Sequence, residues 1–285
     1  MRAFAILLSL MLSGCTQMSV DERITRADEL AKSVGWHSFT INTKFFDLHA
    51  YGSSQDGKYD KGSSIVRVYI EGDGYSWINS QVPSDNPTPM NPIAFYLAMR
   101  DIHNSPVVYL ARPCQYIDTK KPSNCNETYW TNRRYSQEVI DATNVALDSL
   151  KEKYKANRLV LVGYSGGGSV ALLVAAKRND INEIITVAGV LDLDAWVKSH
   201  QMIPLTGSLN PVDFIGQLSS IPQVHYVGDK DEVVGVDVAK SYFGKIPKNG
   251  DANLVVVNGY GHVCCWVDGW VNLQMKARLL KTNKP

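Results

Sequence analysis

Along most of the chain, short apolar runs alternate with segments whose apolar positions recur every three or four residues. Ile65–Ile70, Val107–Ala111, Leu159–Gly163, Ile184–Ala188, Gln223–Gly228 and Asn253–Asn258 are apolar runs of the kind found in strands buried on both faces. Helical spacing runs over Pro92–His103, from Ser136 to about Tyr154, and over Gly167–Lys177, Val236–Phe243 and Trp266–Leu280. In the longest of these, Ser136 and Glu138 open the helix, and Val139, Ile140, Val145, Ala146 and Leu150 fall mostly on one face. Ahead of them, Asp21 predicts the cap of a short helix through Leu30 and Ala31, and Phe39–Lys44 and Phe45–Tyr51 read as strands meeting in a hairpin or bend. Two hairpin strands followed by repeated strand–helix units predict an α/β fold: a mostly parallel sheet, helices on both faces, and ligands at the carboxyl ends of the strands. No linker divides the pattern, so one domain is expected over 21–285.

The first residues follow a different pattern. Met1 and Arg2 precede Ala3–Leu12, an apolar run far short of the ~20 residues that a membrane-spanning helix needs, so it reads as the apolar region of an export signal. Leu12-Ser13-Gly14-Cys15 resembles the bacterial lipoprotein cleavage box. That resemblance implies a signal over 1–14, lipid attachment at Cys15, a tether over 15–20, and a protein anchored to a bacterial membrane, the outer one being favoured by Thr16.

Charge changes the picture by exclusion. The chain carries 29 Lys and Arg against 28 Asp and Glu, and loss of Arg2 with the signal would balance them. With no basic excess or stripe, nucleic-acid binding has no support. Four cysteines remain in an oxidising compartment. Cys114 and Cys125 flank a polar loop and suit a local disulfide worth roughly 3 kcal/mol at best. Cys264 and Cys265 are adjacent, so they either close a vicinal ring or stay as two buried thiols. No cysteine pair has the spacing of a zinc site, and neither a metal nor a cofactor is called for.

Three stretches carry chemistry. Gly163-Tyr164-Ser165-Gly166-Gly167 lies where an apolar strand turns into a helix, a turn so tight that small residues are needed on both sides of an exposed Ser165. Gly228-Asp229-Lys230-Asp231 follows another strand, where a carboxylate can orient a histidine. Asp231 is favoured, with Asp229, Asp192 and Asp194 as competitors. Gly259-Tyr260-Gly261-His262 follows the last strand and offers His262 as a general base, whereas His225 lies inside a strand and reads as core.

The order Ser165, Asp231, His262 and the turn at Ser165 resemble the α/β-hydrolase family over roughly 65–280. Within it, Tyr69-Ile70-Glu71-Gly72-Asp73-Gly74, Ala111-Arg112-Pro113-Cys114-Gln115-Tyr116 and Tyr129-Trp130-Thr131 resemble a group of bacterial exported hydrolases of unassigned substrate. The resemblance implies an oxyanion site made by the N–H of Gly166 with that of Asp73 or Gly74, the Asp73 side chain tending to repel anionic substrates. It also implies acyl transfer from a small-molecule or lipid carboxylic ester. A peptidase or amidase using the same residues, with Glu71 and Asp73 receiving an amine, is a second expectation, and a non-catalytic envelope protein a third. Tyr75, Trp77, Trp130 and Tyr164 are candidates to line an acyl pocket, and the segment 195–220 is short for a lid.

Overall fold

The structure is a computed structural model that describes residues 18–53, 64–117 and 124–282. The expected signal, Cys15, and the middle of the loop between Cys114 and Cys125 lie outside the described residues.

Eight strands form one sheet in the order β1-β2-β4-β3-β5-β6-β7-β8. They are β1 (Trp36–Asn42), β2 (Asp47–Ser53), β3 (Ile65–Ile70), β4 (Val107–Leu110), β5 (Arg158–Tyr164), β6 (Ile181–Val187), β7 (Gln223–Gly228) and β8 (Ala252–Val257). β1 and β2 form an antiparallel hairpin, β2 pairs antiparallel with β4, and every later pairing is parallel. The hairpin is where it is expected, with strand ends offset by two or three residues; Thr43 closes a turn onto Phe46 through its N–H and its hydroxyl, which ends β1 at Asn42.

The helices are α1 (Val20–Ser33), α2 (Ile93–Met99), α3 (Gln137–Tyr154), α4 (Gly166–Ala175), α5 (Leu193–Ser199), α6 (Ile215–Leu218), α7 (Val236–Phe243) and α8 (Trp266–Thr282). α1 is capped by Ser19 rather than Asp21. Ser19 Oγ accepts from Glu22 N–H while Glu22 Oε2 accepts from Ser19 N–H, a reciprocal box that starts the helix inside the expected tether. α2 is shorter than expected, ending at Met99 with Asp101 drawn into a buried pair with Arg67. Two apolar clusters, one on each face, hold the layers together. Residues of α1, α2 and α8 meet Tyr69, Tyr109 and Val162 in one, and residues of α3, α4 and α7 meet Val68, Leu110 and Leu161 in the other. The alternation along each strand therefore feeds two cores, so the central strands are mostly apolar, and polar residues buried within them, such as Arg67 and His225, are paired. Trp130, expected near a pocket, is buried in the second cluster and donates its indole N–H to Ser84 O.

The carboxyl ends of β3, β5, β7 and β8 converge on one edge of the sheet. The three stretches singled out for chemistry leave from that edge.

Candidate active site

Ser165 occupies the turn between β5 and α4 at φ 51° and ψ −124°, a region that costs a non-glycine residue about 1–3 kcal/mol. The glycines around it make the turn fit. A Cβ on Gly163 would stand 2.3 Å from Gly167 O, and one on Gly167 would stand 2.3 Å from Ile70 O. The turn exposes the Ser165 side chain and leaves Gly166 N–H in the first turn of a wholly buried helix, where it has no partner within the helix.

Ser165 Oγ lies 3.0 Å from His262 Nε2, and His262 Nδ1 lies 2.9 Å from Asp231 Oδ2. The other oxygen of Asp231 accepts from Val233 N–H (2.9 Å) and Val234 N–H (2.7 Å), so the carboxylate is held on both sides in a buried position. His262 is held through its backbone: Tyr164 donates its hydroxyl to His262 O at 3.0 Å, and Trp266 donates its indole N–H to Gly261 O at 2.8 Å. The competing carboxylates have other partners. Asp192 caps α5 through Ala195 N–H and bonds Ser241 and Lys245; Asp229 Oδ1 accepts from Gly259 N–H; Asp194 is exposed. His225 is buried between Thr186 and Gln223, and burial pushes its ring down to about 3, so it stays neutral in the core.

Opposite Ser165 stands the loop after β3. A Cβ on Gly72 would stand 3.2 Å from Ser165 Cβ, so the loop backbone is close against the serine. Its peptide groups are individually held. Gly72 N–H donates to Glu71 Oε1 (2.8 Å), Gly72 O accepts from Gln115 Nε2 (3.0 Å), and Asp73 O accepts from the Ser76 hydroxyl (2.7 Å). Because a trans peptide is planar, fixing the Gly72 carbonyl toward Gln115 turns the Asp73 N–H of the same peptide away from it. Gly74 takes φ 67° where a Cβ would stand 2.0 Å from Pro87 O, so only glycine fits.

The Asp73 side chain does not face outward as an unpaired charge. It accepts from Arg134 Nη1 (2.7 Å), Arg112 Nη1 (3.2 Å) and the Tyr135 hydroxyl, with both guanidinium groups almost fully buried. Burial alone would raise its carboxyl; Arg134 and then Arg112 outweigh that and hold it below its ordinary value. The expected repulsion of anions is therefore removed by two neutralising partners. Glu71 differs. Buried beside the hydroxyls of Tyr109, Tyr116 and Tyr164, its carboxyl is pushed up to about 7 by desolvation, and the N–H of Gly72 only partly offsets this. Arg112, Gln115, Arg134 and Tyr135 were not singled out for roles by sequence reasoning, although Arg112 and Gln115 lie in a segment that the resemblance had marked.

Cys114 and Cys125 form a bonded pair with Cα atoms 5.6 Å apart, and Gln115 sits between Cys114 and Tyr116, both at positive φ (72° and 58°). Cys264 and Cys265 are also joined, two and three residues after His262. Among the described residues, no group of His, Cys, Asp and Glu could hold a metal ion.

Ser165 and His262 open into a cavity of about 1140 Å³, lined by the loop after β3, by Tyr75, Trp77 and Tyr164, and across the opening by Trp196 and the residues from Gln201 to Thr206. A catalytic-type constellation at the carboxyl ends of a sheet with this strand order decides the fold. The chain has the α/β-hydrolase fold. Solved structures agree. The esterase Est1E from Butyrivibrio proteoclasticus with ferulic acid bound is similar with a TM-score of 0.63 at 12% identity, over 86% of this chain and 100% of that one. An esterase from Pyrococcus furiosus, Pf2001, matches with 0.59 at 15% identity, over 89% and 91%. XC6422 from Xanthomonas campestris, described as an α/β serine hydrolase without a lid, matches with 0.57 at 14% identity, over 88% and 97%. No family model matches the chain, and no curated sequence relative matches it.

Proposed function

We propose that the chain is a serine hydrolase that cleaves carboxylic esters by acyl transfer. The observation that carries this reading is the continuous chain of contacts from Ser165 Oγ through His262 to the buried Asp231. Ser165 attacks the ester carbonyl as His262 Nε2 takes its proton, and Asp231 holds the imidazole in the tautomer that presents Nε2 as acceptor. The negative charge that develops on the carbonyl oxygen is received by the N–H groups of Gly166 and Asp73; Gly72 N–H is already engaged with Glu71. His262 then protonates the leaving alcohol, and water repeats the sequence to free the acid.

An ester is favoured over an aminoacyl amide because neither acidic side chain expected to receive an amine is available for it. Asp73 is paired with two arginines, and Glu71 is buried with a carboxyl that keeps its proton to about pH 7. That several structural neighbours are described as esterases supports the same choice. The test begins with a fluorophosphonate probe, which should label the wild type and not Ser165→Ala. Aryl esters and aminoacyl anilides then separate esterase from amidase, and faster turnover of the anilides would reverse the assignment. In the same ester assay Asp231→Asn should lower kcat by ~10⁴-fold, the cost seen in the best-studied triad, while Asp194→Asn leaves it near wild type.

The cleavage-box sequence at 12–15 supports attachment of the exported protein to a membrane through lipid at Cys15. Metabolic labelling with a fatty-acid analogue should mark the wild type and not Cys15→Ser.

A further inference from the structure

Single exposed apolar side chains are ordinary on a protein surface; a ring of them is not. Among the described residues thirteen large apolar side chains are exposed; five of these line the Ser165 cavity, and two more, Ile78 and Val82, stand on the same loop as one of the five, making a group of seven. Trp77, Ile78 and Val82 come from the loop after β3, Met202 and Ile203 from the segment after α5, and Val233 from the turn after Asp231. The seventh, Val263, follows His262. Ile203 is 85% exposed. The first group sits on a formed tip: Trp77 bridges to Pro83, Ile78 N–H donates to Val82 O, and Asn79 Oδ1 accepts from the N–H groups of Gln81 and Val82. Three of the tip's backbone N–H groups, those of Ile78, Gln81 and Val82, are satisfied internally, so the turn is held in shape while Trp77, Ile78 and Val82 stay exposed beside the polar apex Asn79-Ser80-Gln81.

The start of α1 packs against one wall of the same cavity. Arg23, one turn into the helix, donates from Nε to Ser19 O and from Nη1 to Thr88 O, with its guanidinium over the ring of Tyr75. Tyr75 lines the cavity, and Thr88 is followed by Pro89, which also lines it. Cys15 precedes Ser19 by only a few residues, an extended reach of about 14 Å.

We propose that the apolar ring docks on the phospholipid leaflet that receives the Cys15 acyl chains, and that the cavity draws its ester from that leaflet. This rests on the acyl-transfer and lipid-attachment readings above. The substrate is then a long-chain acyl ester of a membrane lipid. Its acyl C–O bond breaks as Ser165 Oγ takes the acyl group, the Ser165 proton passes through His262 to the leaving alkoxide, and water releases the free acid. Because none of the seven side chains in the ring is charged, the contact is apolar rather than electrostatic, so zwitterionic lipid suffices.

The experiment uses the full chain, produced with its own N-terminus and reconstituted into phosphatidylcholine vesicles. Fatty-acid-analogue label reads the attachment, and a soluble short-chain ester reads the acyl-transfer chemistry. Vesicles made with brominated acyl chains should quench a component of tryptophan fluorescence that is missing in Trp77→Phe. Ile78→Asp combined with Val82→Asp should lower hydrolysis of a vesicle-borne long-chain acyl ester by tenfold or more while the soluble ester is turned over as before. Labelled protein whose quenching is the same in wild type and Trp77→Phe overturns the docking alone. Unchanged vesicle-borne hydrolysis in the double variant does the same, as does a wild type active only on the soluble ester. Absence of label overturns the attachment and the docking together, and absence of soluble-ester turnover overturns the acyl-transfer reading and the leaflet substrate with it.

Discussion

The two sides of the Ser165 cavity are built from opposite materials. On the inner side, the loop Gly72–Gly74 rests on buried polar groups: the adjacent Glu71, and, from two distant parts of the chain, Arg112 with Gln115 and Arg134 with Tyr135. On the outer side, the tip around Ile78 and the segment after α5 present apolar side chains to the surface. Buried hydrogen bonds to charged groups fix positions to a fraction of an ångström, and an incomplete set is costly. Apolar contact is non-directional and tolerates exchange. The inner side is therefore suited to holding an oxyanion at one point, the outer side to accepting chains of varied shape.

The largest effect should come from breaking the inner frame. Arg134→Met leaves the Asp73 carboxylate buried with one guanidinium instead of two, and removing one partner of a buried pair typically costs about 3–5 kcal/mol. Urea unfolding should show this loss. A double variant with Asp73→Asn should recover part of it, because the two substitutions act on one contact and do not add.

Next comes a pH effect. The Glu71 carboxyl keeps its proton to about pH 7 in the folded chain against 4.5 as its ordinary value, so between those values the unfolded chain binds fewer protons. Stability must then fall as pH rises from about 4.5 to about 7 and stay lower above that, by an amount on the order of 3 kcal/mol. Glu71→Gln lacks this titration. Melting temperatures of the two proteins should diverge across that window in favour of the variant; a constant offset would contradict the burial of a titrating group.

Much of the cavity's centre was legible in the sequence because its determinants are local. Glycines at 163 and 167 flank a serine between a strand and a helix, and each of Asp231 and His262 follows a strand by a few residues. The inner frame was not legible. Asp73 reaches Arg112 and Arg134 across 39 and 61 residues, and nothing nearby in sequence distinguishes a neutralised buried aspartate from a solvated one. The same holds for Gln115, a polar residue in a loop whose role comes entirely from the carbonyl it meets. α6, with 4 residues, is too short for a hydrophobic period to declare itself. The hairpin was seen, and only its strand ends, offset by two or three residues, depended on a side-chain turn at Thr43.

A finer test of the inner side separates position from stability. Gln115 is buried, its Oε1 accepts from Arg112 N–H at 3.0 Å, and its Nε2 holds the Gly72 carbonyl. Gln115→Glu keeps the acceptor and loses the donor. A complete loss of one oxyanion donor costs about 10²–10³-fold in kcat. A peptide that is loosened rather than removed should cost less, roughly 10–100-fold in kcat with KM nearly unchanged. A matching rise in KM would place Gln115 in substrate binding instead.

The smallest effect belongs to the outer side, and it is the one that most directly checks the contrast. Ile203 is 85% exposed, so Ile203→Ser removes almost no buried area and should change stability by less than about 0.5 kcal/mol. Turnover of a short soluble ester should stay within about twofold, because such a substrate reaches Ser165 without filling the opening and the proposed mechanism places the transition-state contacts at the inner side. Lengthening the acyl chain should expose the difference gradually, since each further methylene that meets the rim is worth at most ~0.8 kcal/mol. The measurement is kcat/KM for a series of acyl esters in wild type and Ile203→Ser. A gap that widens with chain length assigns the rim to apolar capture, while an equal loss at every length would mean that the segment after α5 helps to position the reacting groups and that the two sides are not independent.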